Sequence, residues 1–387
     1  MASRPALFTR DFVRLLITTT TFGLSWSSYL ILPKFLLEEL GAERDEIGWI
    51  VAIPGIGATL GAPFVGRILD RYGRRPFVVA GAGLVTLTSV AYLAVDRVGP
   101  YLVGVQALQG LGFLLAFNAA SALAADLAPG ARMAEAMGIF GASNLVMNAV
   151  APSIAEELAA RWSWDVVFVF CAAVGAVATA MAAFLPVGRG GSEDASRLSM
   201  RAVFTLPLTS AYFATMSFAF TFATLFHFHQ PFALEAGVAL VRSFFIGYTG
   251  TAILVRIFLG RYTDRLGPFR IAVASMTAYV FVPMALLVFG PEQLWITGAL
   301  LGLTHGMLYP AVTAVIVACA PSSARASALT FLNGAFHCGM ALAGVGAGAI
   351  SQRYGFPPTF LFASLVTALG VVVLVAGRAG RSASPAR

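Results

Sequence analysis

His337 and Asn144 are two polar side chains that the sequence places deep inside otherwise apolar runs, at equivalent positions. His337 lies twelve residues beyond Arg325, and Asn144 twelve beyond Arg132. At a rise of about 1.5 Å per helical residue that is roughly 18 Å, near the middle of a bilayer. An ionisable group at that depth is costly, which makes it a functional candidate. An imidazole titrates at about pH 6.5 when unperturbed. His337 is therefore open to three roles: carrying a coupling proton, hydrogen-bonding a substrate, or packing as a neutral ring. Asn333 precedes His337 by one turn, and Asn148 follows Asn144 by one turn. Each pair shares a helix face. His305 and Tyr309, in "GLTHGMLYP", form another such pair. Trp26, Tyr29 and Asn118 add aromatic and amide groups in other apolar runs. Ser217, Thr221 and Thr224 form a hydroxyl stripe that leads to His227. Residues of these types read equally well as ligand contacts or as packing.

Other chemistries find little support. His227 and His229 stand two residues apart, so they point to different helix faces, and no Cys, Asp or third His is near them in sequence. No metal site is expected. Cys171, Cys319 and Cys338 form no CxxC pair and read as small packing residues. There is no GxxxxGK[ST] loop, nucleophile elbow or HExxH. The chain is expected to be neither an ATPase nor any other enzyme, and to use no cofactor. The driving force left is a gradient of solute or ion.

Charge is concentrated in one short stretch, "GRILDRYGRR", from Gly66 to Arg75. Gly66, Arg67, Asp70, Arg71 and Gly73 reappear as Gly260, Arg261, Asp264, Arg265 and Gly267, each displaced by 194 residues. A second echo pairs Arg132 with Arg325, Gly141 with Gly334, and Asn144 with His337, at an offset of 193. The two halves of the chain are therefore a repeat. The second copy of the charged stretch is weaker, because Pro268 and Phe269 replace the arginine pair Arg74 and Arg75. Gly66 and Gly73 are expected to permit a tight turn.

The pattern GRxxDRxGRR, with its copy half a chain later, resembles the signature loop of the major facilitator superfamily, and the resemblance extends over essentially the whole chain. It implies an all-α membrane protein of twelve transmembrane helices in two pseudo-symmetric six-helix bundles. It also implies a latch: Asp70 would engage the start of the eleventh span near 322–325, and Asp264 would face Gly130–Arg132. Gly66, Arg67, Asp70, Arg71, Gly73, Arg74, Arg132, Asp264, Arg265 and Arg325 are the residues of that device. The arginines taken singly read equally well as a topology signal. The resemblance further implies that spans one, four, seven and ten line the cavity, which brings in Trp26, Tyr29, Asn118, His305 and Tyr309. Ala151–Ala155, "APSIA", stands where proton-driven exporters of the superfamily carry a glycine-proline motif; Pro152 is kept and the glycines are alanines.

These residues need elements to hold them. Hydrophobic residues make up 58% of the chain and charged residues 11%, against roughly 45–50% and about 25% in soluble proteins. The excess falls in twelve runs, near 12–33, 47–66, 77–95, 100–123, 137–158, 166–186, 203–226, 242–260, 271–289, 294–317, 327–350 and 358–377. Lipid offers the backbone no hydrogen-bond partners, so runs of this length are expected as helices. The first run is too long for a cleaved signal and is expected to be retained. Of the 25 lysines and arginines, eighteen fall on one set of alternate segments, six on the other, and Arg256 inside a run. The positive-inside rule then places both termini in the cytoplasm, in an inner membrane. The net charge of +7 sits in short loops with no basic face, so nucleic acid is not an expected partner. Glu156 and Glu157, at the outer end of the fifth run, are expected in headgroups or water. The polar segment 187–201 divides a unit at 1–186 from one at 202–387.

The expected function is secondary transport of a small molecule by a monomer in the lipid bilayer, with export by proton exchange preferred. Uptake by proton symport and a transport-inactive sensor are the alternatives. Aromatic, hydroxyl, amide and imidazole groups with few charges favour a neutral, cationic or amphipathic solute over a polyanion.

Overall fold

The computed structural model describes residues 6–188, 203–258, 266–321 and 324–382, with side chains except at 62–71, 131, 134, 326 and 379–382. Regular structure among the described residues is helical. The α-helices are α1 Arg10–Ser27, α2 Leu32–Glu38, α3 Arg44–Tyr72, α4 Arg75–Ala91, α5 Pro100–Leu127, α6 Met133–Arg161, α7 Trp164–Ala182, α8 Leu206–Glu235, α9 Arg242–Phe258, α10 Pro268–Val280, α11 Val282–Phe289, α12 Leu294–Cys319, α13 Arg325–Tyr354 and α14 Phe356–Ser382.

Ten helical stretches among the described residues are long and apolar enough to cross a membrane. The described residues of the runs near 47–66 and 242–260 are helical too, in α3 (29 residues) and α9 (17 residues). The chain is an all-α protein with many membrane-spanning helices.

Prolines explain where the spans bend. Pro33 has no N–H for the carbonyl four residues earlier. The first span accordingly passes from α1 through a 3-10 turn at Ser28–Ile31 before resuming as α2. Pro283 acts in the same way, and the chain breaks at Phe281 between α10 and α11. Prolines at the first turns of α4, α5, α8 and α10 stand where a helix loses nothing by lacking a donor.

The charged stretch is more helical than its sequence suggests. α3 runs through Gly66 to Tyr72, so Gly66 lies inside the helix and the turn is compressed to Gly73 and Arg74. The reason is local: Arg67–Tyr72 contains no helix breaker. Gly73 takes φ +80° and Gly267, its counterpart, φ +85°. This left-handed backbone suits glycine and strains other residues. The two copies of the repeat thus share their turn geometry as well as their letters.

Contacts divide the chain into two compact units, Met1–Phe35 with Leu60–Asp194, and Leu36–Thr59 with Ala195–Arg387. In the first, α1 packs on α6 and α7, and α4 on α5 and α7. In the second, α8 packs on α13 and α14, and α12 on α9 and α10. Small residues allow the closest approach: a Cβ on Gly298 or Gly302 of α12 would land on the carbonyl oxygen of Phe244 or Tyr248 of α9. Between apolar helices in lipid, such packing supplies much of the attraction.

Candidate functional site

α12 and its neighbours in the second unit enclose His305. The residue is 7% exposed. Its ring centre lies 4.7 Å from Phe222, 6.0 Å from Phe218, Tyr248 and Tyr309, and 6.3 Å from Tyr279 and Phe336. Five helices, α8, α9, α10, α12 and α13, contribute these rings. The imidazole Nδ1 and the Tyr279 hydroxyl are buried without a hydrogen-bond partner among the described residues. Buried polar atoms are usually satisfied, and exceptions ask for an explanation. The Tyr309 hydroxyl donates to Asn333 Oδ1 at 3.0 Å. His337 stands one turn beyond Asn333 on α13, half-buried, beside Phe336. The structure thus joins His305, Tyr309 and Asn333 in one cluster with His337 adjacent on the same helix. Ring centres at these distances are in packing contact, so the two unsatisfied polar atoms lie within a closely packed aromatic cluster.

The hydroxyl stripe of α8 is committed to helix packing. Ser217 and Thr224 hydrogen-bond to carbonyls one turn back, at 2.9 Å each. Thr221 donates to the Ala363 carbonyl at 2.7 Å, which ties α8 to α14. His229 stacks on Phe244 at 3.9 Å, with Nδ1 2.7 Å from the Leu225 carbonyl.

In the first unit Trp26 stacks on Phe113, with ring centres 4.2 Å apart. Tyr29 packs against Tyr92 and Phe168. The Asn118 amide donates to the Leu114 carbonyl of its own helix at 2.7 Å, on an exposed face. A polar seam joins α1 to α6. Along that seam the Asn144 amide donates to the Phe140 carbonyl at 2.9 Å, and Asn148 Oδ1 accepts from Ser27 at 3.1 Å. The seam ends in an ion pair, Lys34 Nζ to Glu156 Oε1 at 2.9 Å, with side chains 7% and 0% exposed.

This pair corrects the expectation that Glu156 sits in headgroups or water. The 3-10 turn in the first span and Pro33 carry Lys34 against the C-terminal end of α6, where Glu156 is buried. Glu157 next to it does pair at the surface, with Arg161. Two signals in the sequence mark the site: Lys34 is the sole lysine, and Glu156 falls on the four-residue ladder of Asn144, Asn148 and Pro152.

The charged turn is described only in part. Arg74 is buried, its Nε 3.5 Å from Asp126 at the end of α5, and its backbone N–H donates to the Val187 carbonyl at 3.0 Å. Arg132 makes a two-pronged pair with Glu135, at 2.8 and 2.7 Å, which raises the guanidinium above its ordinary pKa. Arg325 is exposed at the start of α13. The side chains of Arg67, Asp70 and Arg71, and the whole of Asp264 and Arg265, lie outside the described residues.

A cavity of about 840 Å³ opens elsewhere in the second unit, between Pro207, Phe269, Arg270, Cys319, Leu374 and Arg378. It shares no residue with the His305 cluster.

Comparison with known proteins agrees with this architecture. The chain is 25% identical over 361 residues to the multi-drug resistance efflux pump PmrA homolog of Lactococcus lactis, covering 87% of this chain and 88% of that one. It is 24% identical to multidrug resistance protein MdtG of Yersinia enterocolitica, covering 91% and 90%. Among solved structures, the nucleoside transporter NupG superposes with a TM-score of 0.82 at 14% identity, covering 95% of this chain and 99% of that one. The peptide transporter POT superposes with a TM-score of 0.78 at 15% identity, covering 98% and 97%. These likenesses in structure concern the fold alone. The sequence profile of the Major Facilitator Superfamily matches residues 15–291 and 208–386, so each half of the repeat is covered. The chain belongs to the Major Facilitator Superfamily.

Proposed function

We propose that this secondary transporter exports a small organic molecule in exchange for protons, by alternating access. In this reading the spans form two pseudo-symmetric six-helix bundles, 1–186 and 202–387, joined by the linker 187–201. The protein works as a monomer in the inner membrane with both termini in the cytoplasm. Arginine distribution supports that orientation. The solute is neutral, cationic or amphipathic.

The observation that carries the reading is the His305 enclosure, six aromatic rings about an imidazole with an unpaired nitrogen. Such a surface suits flat or cationic organic solutes and offers nothing to a polyanion. Likeness along most of the chain to a protein named a multi-drug resistance efflux pump, and to one named for multidrug resistance, supports the outward direction. Trp26, Tyr29, Asn118, Asn144, Asn148, Asn333 and His337 are the remaining candidates for solute or coupling contacts. Asp70, with Gly66, Arg67, Arg71, Gly73 and Arg74, forms the cytoplasmic latch with Arg325, and Asp264 and Arg265 form its symmetry mate with Arg132.

The test is a growth screen in cells stripped of their own efflux pumps. Native protein, Asp70→Asn and His305→Ala are expressed at matched membrane levels against a panel of toxic compounds. Resistance with the native chain that weakens in both variants supports the reading and names a solute class. No resistance to any compound, with all three well inserted, sinks drug-like export.

A further inference from the structure

Lys34 and Glu156 are an unusual use of charge in this molecule. Among the described residues the buried charged side chains are these two and Arg74. Glu156 is the one buried carboxylate in that set, at 0% exposure, and Lys34 is 5% exposed. Their contact is 2.9 Å. Several other ion pairs, such as Arg14 with Asp11 and Arg161 with Glu157, lie at the surface. Taking an ion pair out of water costs about as much as its attraction returns, so a buried pair is a poor device for stability alone. Ionisable groups inside a spanning segment mark transport pathways more often than structure.

The choice of cation points the same way. The sequence uses arginine everywhere else. A guanidinium is forked, delocalised and well suited to lock a carboxylate with two hydrogen bonds, whereas an ammonium is a single point charge on a flexible stem.

The pair also terminates a polar seam. Asn144, Asn148, Pro152 and Glu156 follow at four-residue steps on α6. Residues at that spacing form the ridge that packs into a neighbouring helix. Here the neighbour is the first span. Asn144 Oδ1 lies 3.6 Å from where a Cβ on Gly23 would stand, Asn148 meets Ser27, and Glu156 meets Lys34.

We propose that Glu156 is the proton-carrying carboxylate of the transport cycle and that Lys34 is its resting counterion. The inference rests on the proton-exchange reading above. In the step itself a proton adds to a Glu156 oxygen and an O–H bond forms. The Lys34 ammonium keeps its proton and Glu156 loses its charge, so the pair passes from net neutral to singly positive. On the opposite face of the cycle the proton leaves and the pair re-forms. Coupling requires the two conformations to hold that proton with different affinity.

Lys34 Nζ touches the carboxylate at 2.9 Å. Other titratable groups lie on the surrounding elements. Glu157 pairs with Arg161, and Glu38, Glu39, Asp96, Arg97 and Asp165 are exposed. Tyr29 packs on Tyr92 and Phe168, and Tyr101 hydrogen-bonds to the Ala91 carbonyl.

Two experiments on the full chain test this. In the first, purified protein in lipid nanodiscs is treated with dicyclohexylcarbodiimide, an apolar reagent for protonated carboxyls, and adducts are mapped by mass spectrometry. The expected result is an adduct on Glu156 that grows as pH falls, and that is already present at neutral pH in Lys34→Met. Glu156 left unmodified from acid to neutral pH in both proteins overturns the proposal. In the second, proteoliposomes are loaded with a solute identified by the growth screen. Glu156→Gln should lose accumulation driven by a pH gradient, while exchange between equilibrated compartments falls less. Native accumulation in this variant overturns the coupling role and leaves transport standing. If the native protein moves no solute at all, the transport reading falls and takes this role with it.

Discussion

Arg44 grips Glu235 with two guanidinium nitrogens, although 191 residues separate them in the chain. The third nitrogen donates to the Ser351 carbonyl at 2.7 Å, and the guanidinium lies 4.4 Å from the ring centre of Phe356. Gln352 completes the group, accepting from the Arg44 backbone at 3.1 Å and donating to Glu43 at 2.9 Å. One side chain therefore joins the start of α3 to the ends of α8 and α13. Both partners remain partly exposed, at 26% and 37%. Exposed pairs contribute about 0.2–1 kcal/mol, and the forked geometry places this one near the top of that range. In a double-mutant cycle of Arg44→Ala and Glu235→Ala, read by thermal unfolding in detergent, a coupling energy of about 1 kcal/mol that shrinks in high salt is expected. Strictly additive losses would show that the pair is incidental.

Replacing either Lys34 or Glu156 alone should be far more damaging. Removing one partner of a buried pair strands the other charge, at a cost of about 3–5 kcal/mol. Lys34→Met and Glu156→Leu should each lower the unfolding midpoint sharply, and the double variant should recover most of the loss. If the double is no better than the worse single, charge burial is not what the singles disturb.

His305→Phe separates function from stability. The substitution keeps an aromatic ring among aromatic rings and removes a buried nitrogen that lacks a partner. An unsatisfied buried polar group costs about 1–3 kcal/mol. The variant should unfold at an equal or higher temperature while conferring less resistance, the usual trade at a binding site. A drop in both together would assign His305 to packing.

Two glycines in neighbouring helices should respond oppositely to one methyl group. A Cβ on Gly302 meets the Tyr248 carbonyl, so Gly302→Ala should lower thermal stability and membrane yield. Gly250 in α9 has open space around it, and alanine there should be neutral or stabilising by about 0.5–1 kcal/mol. Equal effects at the two sites would remove close helix packing as the cause.

Much of this molecule is legible along the chain. Composition and run length announce spanning helices, because each such helix satisfies its own backbone and needs only local sequence to form. The repeat and the left-handed turns at Gly73 and Gly267 are local in the same sense, since a glycine after a helical stretch carries its own conformational reason. The pairing of Tyr309 with the His305 face follows from helical spacing alone.

Neighbours across the fold are another matter. Periodicity says which face of a helix a residue occupies, and nothing about what that face meets. Glu156 near the end of a span reads as solvated until the bend after Ser28 brings Lys34 over it. Arg44 reads as one more loop charge until α8 and α13 end beside it. His305 gains its six rings from five helices spread over 119 residues, from Phe218 to Phe336. Desolvation and pairing depend on those meetings, so the chemistry of these groups was set by tertiary packing, while the helices that carry them were set by the order of the residues.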